Sequence, residues 1–372
     1  MKEKEDVSDM KKIGREVAFL KTGAQNQRNG EGSFARLNDR SIIHVYTEYF
    51  GDSHEDDATA RLAYIISRDE GESWSESKVL LHRDERAQNY MSVSLVRLPN
   101  GELGMHFLRK EILRGSDGED VVCMPMFCYS SDEGKSWSEP VTCIDRRGYY
   151  CGINDGILLQ RSGRLLMPMS SDPEATVYVV ASEDFGRSWY TLCGPITLPF
   201  ANFPSGLEEP GIYEHENGEL WLYFRTFLGY QYESRSNDNG RTWSVAIPNL
   251  YFSSPDAPMR VKRLGEYTVA AFNPSSCNCL SASNARRPLV CAVSKDDGIS
   301  FGDFTDFTTS AKMKKFASRL YAVEDDPANT YCYPSMIEVE GGFLMAYYHS
   351  EGDSFPLRAT KIVKISFEEI NG

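Results

Sequence analysis

Glu209 and Arg225 stand sixteen residues apart, with Gly218 at a turn position between them. A hairpin of that spacing brings a carboxylate and a guanidinium to one end of neighbouring strands. There they form an ordinary ion pair or hold a polar ligand between them. Strand alternation sends the adjacent Glu208 to the other face. A second cluster, Asp52-Ser53-His54-Glu55-Asp56-Asp57, crowds acids into one loop. Like-charge repulsion there raises the pKa of at least one carboxyl and lets it carry a proton near neutral pH; the plainer outcome is a solvated loop. Tyr331-Cys332-Tyr333 puts two phenols on one strand face, as reactive groups or as half-buried aromatics. Polar residues also bracket strands at Gln88-Asn89, Arg109-Lys110, Asn154-Asp155, Gly229-Tyr230-Gln231-Tyr232 and Lys262-Arg263. Of these, Asn154 and Gln231 are singled out as lining for a central pocket.

Composition narrows the chemistry. The 372 residues carry 40 Lys and Arg against 54 Asp and Glu, a net charge of −14. So acidic a chain suits neither a nucleic-acid backbone nor an anionic membrane face, and an anionic ligand would need a local basic pocket. No run of eighteen apolar residues is present. The charged stretch Met1 to Lys12 lacks an apolar leader segment, so the expectation is a cytoplasmic protein, with a trimmed secreted chain as the alternative. Nine scattered cysteines, an odd number, read as reduced thiols. Cys277-Asn278-Cys279 is the one close pair and has no second pair at zinc spacing, so neither a metal nor another cofactor is expected. The sequence carries no signal for an oligomeric state.

Positioning these groups falls to a repeat. Five octapeptides share one pattern: Ser67 to Trp74, Ser130 to Trp137, Ser182 to Trp189, Ser236 to Trp243 and Ser294 to Phe301. Each holds Asp at its third position, Gly at its fifth and an aromatic at its eighth. Asp accepts hydrogen bonds from turn N–H groups, Gly supplies a positive φ, and the aromatic packs beneath the turn. The boxes therefore read as structural staples. Between them recurs a strand, a tight turn and another strand, as in Ser94-Leu-Val-Arg-Leu-Pro-Asn100-Gly101. Six such units of about 62 residues predict an all-β, six-bladed β-propeller of four-stranded antiparallel blades. Residues 1–15 form an N-terminal extension and 16–372 one domain, with Glu16 to Lys21 and Thr360 to Phe367 sharing the closure.

Through its boxes the chain resembles the sialidase superfamily, specifically the Asp-box, or BNR-repeat, sialidase-like proteins. The resemblance covers nearly the whole chain. It implies an exo-glycosidase that removes a terminal acidic sugar from a glycan, using a tyrosine nucleophile because a phenol is not repelled by the anionic anomeric centre. On this resemblance Tyr333 is the nucleophile, Glu209 its base and Asp57 the acid/base, with Asp56 the second choice. Arg225 and Arg286 hold the sugar carboxylate, with Arg287 the rival of Arg286. The chain departs from the family where an Arg-Ile-Pro motif supplies the first clamp arginine: it reads Gly30-Glu31-Gly32-Ser33-Phe34, and Arg28, two residues upstream, is the candidate substitute. The departure keeps two other readings open. One is a polysaccharide lyase or glycosidase acting on another sugar acid such as a uronic acid. The other is a carbohydrate-binding propeller without catalysis.

Overall fold

Each octapeptide closes its turn in the same way. Ser67 Oγ donates to Asp69 Oδ1 at 2.8 Å and accepts from Gly71 N at 2.8 Å. The Asp69 carboxylate accepts from Ser73 N at 2.9 Å and from Ser73 Oγ at 2.5 Å. Two successive left-handed residues make the bend, Glu70 at φ 55° and Gly71 at φ 84°; a Cβ on Gly71 would also meet the Leu344 side chain at 2.6 Å. The same bonds recur around Asp132, Asp184, Asp238 and Asp296. These acids are committed to their turns.

The computed structural model describes residues 10–115, 118–199, 206–274, 286–306, 314–350 and 357–371. Cys277 and Cys279 lie outside them. Among the described residues all but a short capped helix, Phe367–Ile370, is strand, turn or loop. One four-stranded antiparallel sheet runs Asn26–Arg36, Ile42–Phe50, Ala60–Ser67 and Lys78–Leu81. Another runs Glu208–Glu214, Leu220–Arg225, Tyr230–Ser236 and Ile247–Ser253. A third joins Arg260–Leu264, Tyr267–Phe272, Leu289–Ser294 and Leu320–Glu324. In the last sheet the chain ends meet: Arg15–Leu20 pairs with Ala359–Ser366, which follows Gly342–His349 and Tyr331–Val339.

Between the first two of these lies a nine-stranded sheet where two separate four-stranded units were expected. Its long hairpin, Leu103–Gly115 with Gly118–Ser130, has thirteen residues per arm. Such an arm outreaches its own unit, and Cys123 meets Tyr149 of the next one in a single parallel pair.

The first strand of each unit lies against its neighbours. Asn26–Arg36 touches Asn89–Arg97 on one side and Tyr331–Val339 on the other, and Arg260–Leu264 touches both Tyr331–Val339 and Glu208–Glu214. Asp155 N donates to Val93 O at 2.9 Å and Gly156 N to Ser94 Oγ at 2.7 Å, carrying the series across the second and third units. Alternating apolar residues fill the space between sheets. Phe34, Ile42, Ile65, Leu344 and Ile362 pack together where the first sheet meets the last. Tyr213, Trp221, Phe252, Phe272 and Phe301 do so between the sheets that start at Glu208 and Arg260. Each such side chain contributes about 1.5–3 kcal/mol on burial.

Candidate functional site

The first strands carry β-bulges near their beginnings, and the bulged residues meet. Pairing skips between Glu208 and Gly211 and between Cys332 and Ser335. Glu209 is left at φ 37° and Tyr333 at φ 55°. The same device leaves Glu31 at φ 51° and Ser92 at φ 55°. A left-handed non-glycine residue costs about 1–3 kcal/mol, and bulges of this kind re-aim side chains at functional sites. Here they produce two contacts: Tyr333 Oη donates to Glu209 Oε1 at 2.6 Å, and Ser92 Oγ to Glu31 Oε2 at 2.6 Å.

Bulging also overturns two expectations based on strand alternation. Glu208 is not on the far face; its carboxylate lies 3.6 Å from Arg225 Nε. Tyr331 does not share a face with Tyr333. It is fully buried among Ile13, Val293 and Met336, whereas Tyr333 packs beside Ala257 and Tyr348.

Arg225 leans on the pair. Its Nη1 donates to Glu209 Oε2 at 2.7 Å and to Tyr333 Oη at 3.4 Å, and its Nη2 to Asp256 Oδ2 at 2.7 Å. Arg286 Nε and Nη2 donate to the Asp256 carbonyl at 3.1 and 3.0 Å, and its guanidinium carbon lies 5.7 Å from the centre of the Tyr333 ring. Arg287 turns away to the Pro327 carbonyl. Burial pushes the Tyr333 phenol well above its ordinary pKa and the Glu209 charge pushes the same way, with Arg225 and Arg286 opposing them. Such a phenol keeps its proton until a base takes it, and that base stands 2.6 Å away.

Arg28 is buried beside this group and is fully engaged. Its Nε donates to Tyr348 Oη at 2.8 Å, Nη2 to Glu31 Oε1 at 2.9 Å and Nη1 to Asp56 Oδ1 at 2.5 Å. Burial raises the Glu31 pKa despite the charge of Arg28. In the acidic loop the expected upward shift fails for Asp56. Burial would raise it, but Arg28, Lys110 and Arg286 outweigh that and hold it below the ordinary carboxylate range. The adjacent Asp57 faces its own cation: Lys110 Nζ donates to Asp57 Oδ1 at 2.9 Å, and the Asp57 side chain is 60% exposed. A cavity of about 650 Å³ opens beside Asp57, along Tyr149, Arg147 and Glu174.

The two amides singled out as pocket lining are buried and serve the backbone. Asn154 Nδ2 reaches the carbonyls of Gly32, at 2.8 Å, and Tyr333, at 3.3 Å, so it ties two bulges together. Gln231 Nε2 binds Ser254 Oγ and Ala257 O, both at 2.8 Å, and braces the loop that carries Asp256.

A family described as a BNR repeat-like domain matches residues 44–346. The chain belongs to that family and to the sialidase superfamily. Over 129 residues it is 32% identical to an anhydrosialidase from Macrobdella decora, a match covering 32% of this chain and 16% of that protein. Among solved structures, the leech intramolecular trans-sialidase complexed with 2,7-anhydro-Neu5Ac is similar at TM-score 0.69 and 14% identity, over 96% of this chain and 70% of that one. The Ruminococcus gnavus intramolecular trans-sialidase is similar at TM-score 0.68 and 14% identity, over 96% and 98%. A protein of unknown function from Dyadobacter fermentans is similar at TM-score 0.68 and 15% identity, over 95% and 99%. These likenesses show a shared fold of the β-propeller class.

Against that family background, four participants escaped the sequence reading in their roles: Glu31, Asp256, Lys110 and Tyr348. Only Glu31 had a local signal, its place between Gly30 and Gly32. The other three reach the site through contacts between residues at least 31 positions apart.

Proposed function

We infer that this BNR repeat-like protein is a retaining exo-glycosidase for a terminal acidic sugar of the sialic acid type. The units are read as six blades around one axis, the nine-stranded sheet counting as two, with 16–372 as a single domain.

In the first step Tyr333 Oη attacks the anomeric carbon while its proton passes to Glu209. The glycosidic C–O bond breaks, its electron pair stays on the leaving oxygen, and Asp57 protonates that oxygen. In the second step Asp57 takes a proton from water, whose oxygen displaces Tyr333 from the anomeric carbon, and Glu209 returns its proton to the phenolate. Two displacements retain the anomeric configuration. Arg286, whose Nη1 has no hydrogen-bond partner among the described residues, offers a donor to the sugar carboxylate, with Arg225 beside it. The cavity beside Asp57 offers room for the leaving group.

The Tyr333–Glu209–Arg225 contact carries this reading. It is tested by hydrolysis of a fluorogenic α-sialoside: native protein releases the fluorophore, and Tyr333→Phe reduces the rate at least about 10³-fold. Full activity in that variant would remove the nucleophile.

A second reading draws on Gly30, which offers no clamp arginine, and on Arg28, whose donors are taken by protein groups. It is a glycosidase or polysaccharide lyase acting on a uronic acid, or a sugar-binding propeller. An unsaturated-uronate absorbance band marks the lyase; saturable glycan binding without turnover marks the binding module.

A further inference from the structure

Glu209 is the second residue of the strand Glu208–Glu214, and Glu214 ends it. Five residues at about 3.3 Å each put roughly 16 Å between the reactive cluster and the far end of the first strands. A separate cavity of about 600 Å³ lies at that far end. Its walls include Arg97, Arg161, Arg260, Lys262 and Arg263, a concentration of cations in a chain whose net charge is −14. The Lys262-Arg263 pair, conspicuous in the sequence, plays no part in the reaction above.

Three of the cations have their own partners. Arg97 is held by both oxygens of Glu133 at 2.8 Å, Arg161 faces Glu214 at 3.7 Å, and Arg263 faces Glu216 and Asp297. The deepest two do not balance. Lys262 Nζ donates to Asp155 Oδ1 and Oδ2 at 3.0 and 2.9 Å, and Arg260 Nε lies 3.5 Å from the same Asp155. Asp155 also accepts from Ser33 Oγ at 2.9 Å and from Met336 N at 3.2 Å. One carboxylate thus serves two cations and two further donors. Arg260 is 4% exposed, and its Nε has no hydrogen-bond partner among the described residues. Two cations that share one carboxylate leave one positive charge in excess at the inner wall of the cavity.

We propose that this rear cavity is an oxyanion-binding site, separate from the reactive cluster, in which Arg260, Lys262 and the rim residue Arg263 bind a phosphate- or sulfate-sized anion. The free ion and a small phosphate ester present the same chemistry to these donors. Occupancy supplies the missing counter-charge.

The test is equilibrium dialysis of the full chain against labelled inorganic phosphate, with chloride holding the ionic strength constant. The expected result is one saturable site, retained in Arg286→Gln and weakened about tenfold or more in Lys262→Met, the loss of one charge-assisted hydrogen bond. Arg263→Gln, at the exposed rim, keeps the question open to test should Lys262→Met fail to fold; it is expected to weaken binding by at least about threefold. A sugar phosphate that competes more tightly than phosphate assigns the site to an ester, and one that competes equally or less assigns it to the free ion. The absence of saturable binding, or binding lost in Arg286→Gln and kept in Lys262→Met and Arg263→Gln, overturns the proposal. Neither result depends on glycoside hydrolysis.

Discussion

Tyr348 fills the space that any side chain at residue 30 would need: a Cβ on Gly30 would come 1.8 Å from Tyr348 Cε1 and 2.0 Å from Cζ. The same phenol accepts from Arg28 Nε at 2.8 Å, and the guanidinium carbon lies 4.8 and 4.9 Å from the ring centres of Tyr49 and Tyr348. The stretch that offers no arginine at residue 30 therefore holds an aromatic ring against bare backbone, with Arg28 locked behind it.

Gly30→Ala accordingly forces the Tyr348 ring to move and costs about 1–3 kcal/mol, read from urea unfolding. In a Tyr348→Ala background the same substitution finds open space and costs much less, so the double-mutant cycle is strongly non-additive. Additive single effects would show that the ring yields without cost.

The two candidate acids differ in what holds them. Asp57 is tethered by Lys110 at 2.9 Å, while Asp56 is an anchor for Arg28 at 2.5 Å. If Asp57 protonates the leaving oxygen, Asp57→Asn lowers kcat/KM about 10²–10⁴-fold for a sugar leaving group and far less for an aryl leaving group that departs without a proton. Asp56→Asn lowers both alike. The reverse pattern moves the acid role to Asp56.

Acid sensitivity follows from two histidines. His44 is 0% and His106 is 2% exposed, neither ring has a hydrogen-bond partner for its nitrogens among the described residues, and burial pushes both pKa values down to about 3. In the unfolded chain they titrate near 6.5. The unfolded state therefore binds more protons between these values. Their contribution to stability is fully present above about pH 6.5 and is lost as pH falls towards 3. Unfolding free energies at pH 7.5, 6 and 5 check this: His106→Leu flattens the decline by about one proton, and an unchanged slope contradicts it.

What the sequence disclosed was local. A box spans eight residues, and its bonds run between Ser67, Asp69, Gly71 and Ser73, so its spacing alone dictates the turn. Glu209 and Arg225 belong to one hairpin, and their separation of sixteen was enough to foresee their meeting at 2.7 Å. Tyr333 meets Glu209 from 124 positions away, and it was the family resemblance that marked it. The bulges were hidden, because one extra residue reverses strand parity and nothing in Glu208-Glu209 or Tyr331-Cys332-Tyr333 announces it. The upward shift expected in the acidic loop failed at Asp56 for a related reason. Distant strands bring Arg28 to Asp56 and Lys110 to Asp57.

The proposed reaction requires Tyr333 to form a bond to the sugar. Intact mass and peptide mapping after treatment with a 2,3-difluoro sialic acid measure this directly. A single adduct on the peptide bearing Tyr333, absent from Tyr333→Phe, is the predicted result. Turnover of a sialoside with no adduct, or an adduct on any other residue, would contradict it.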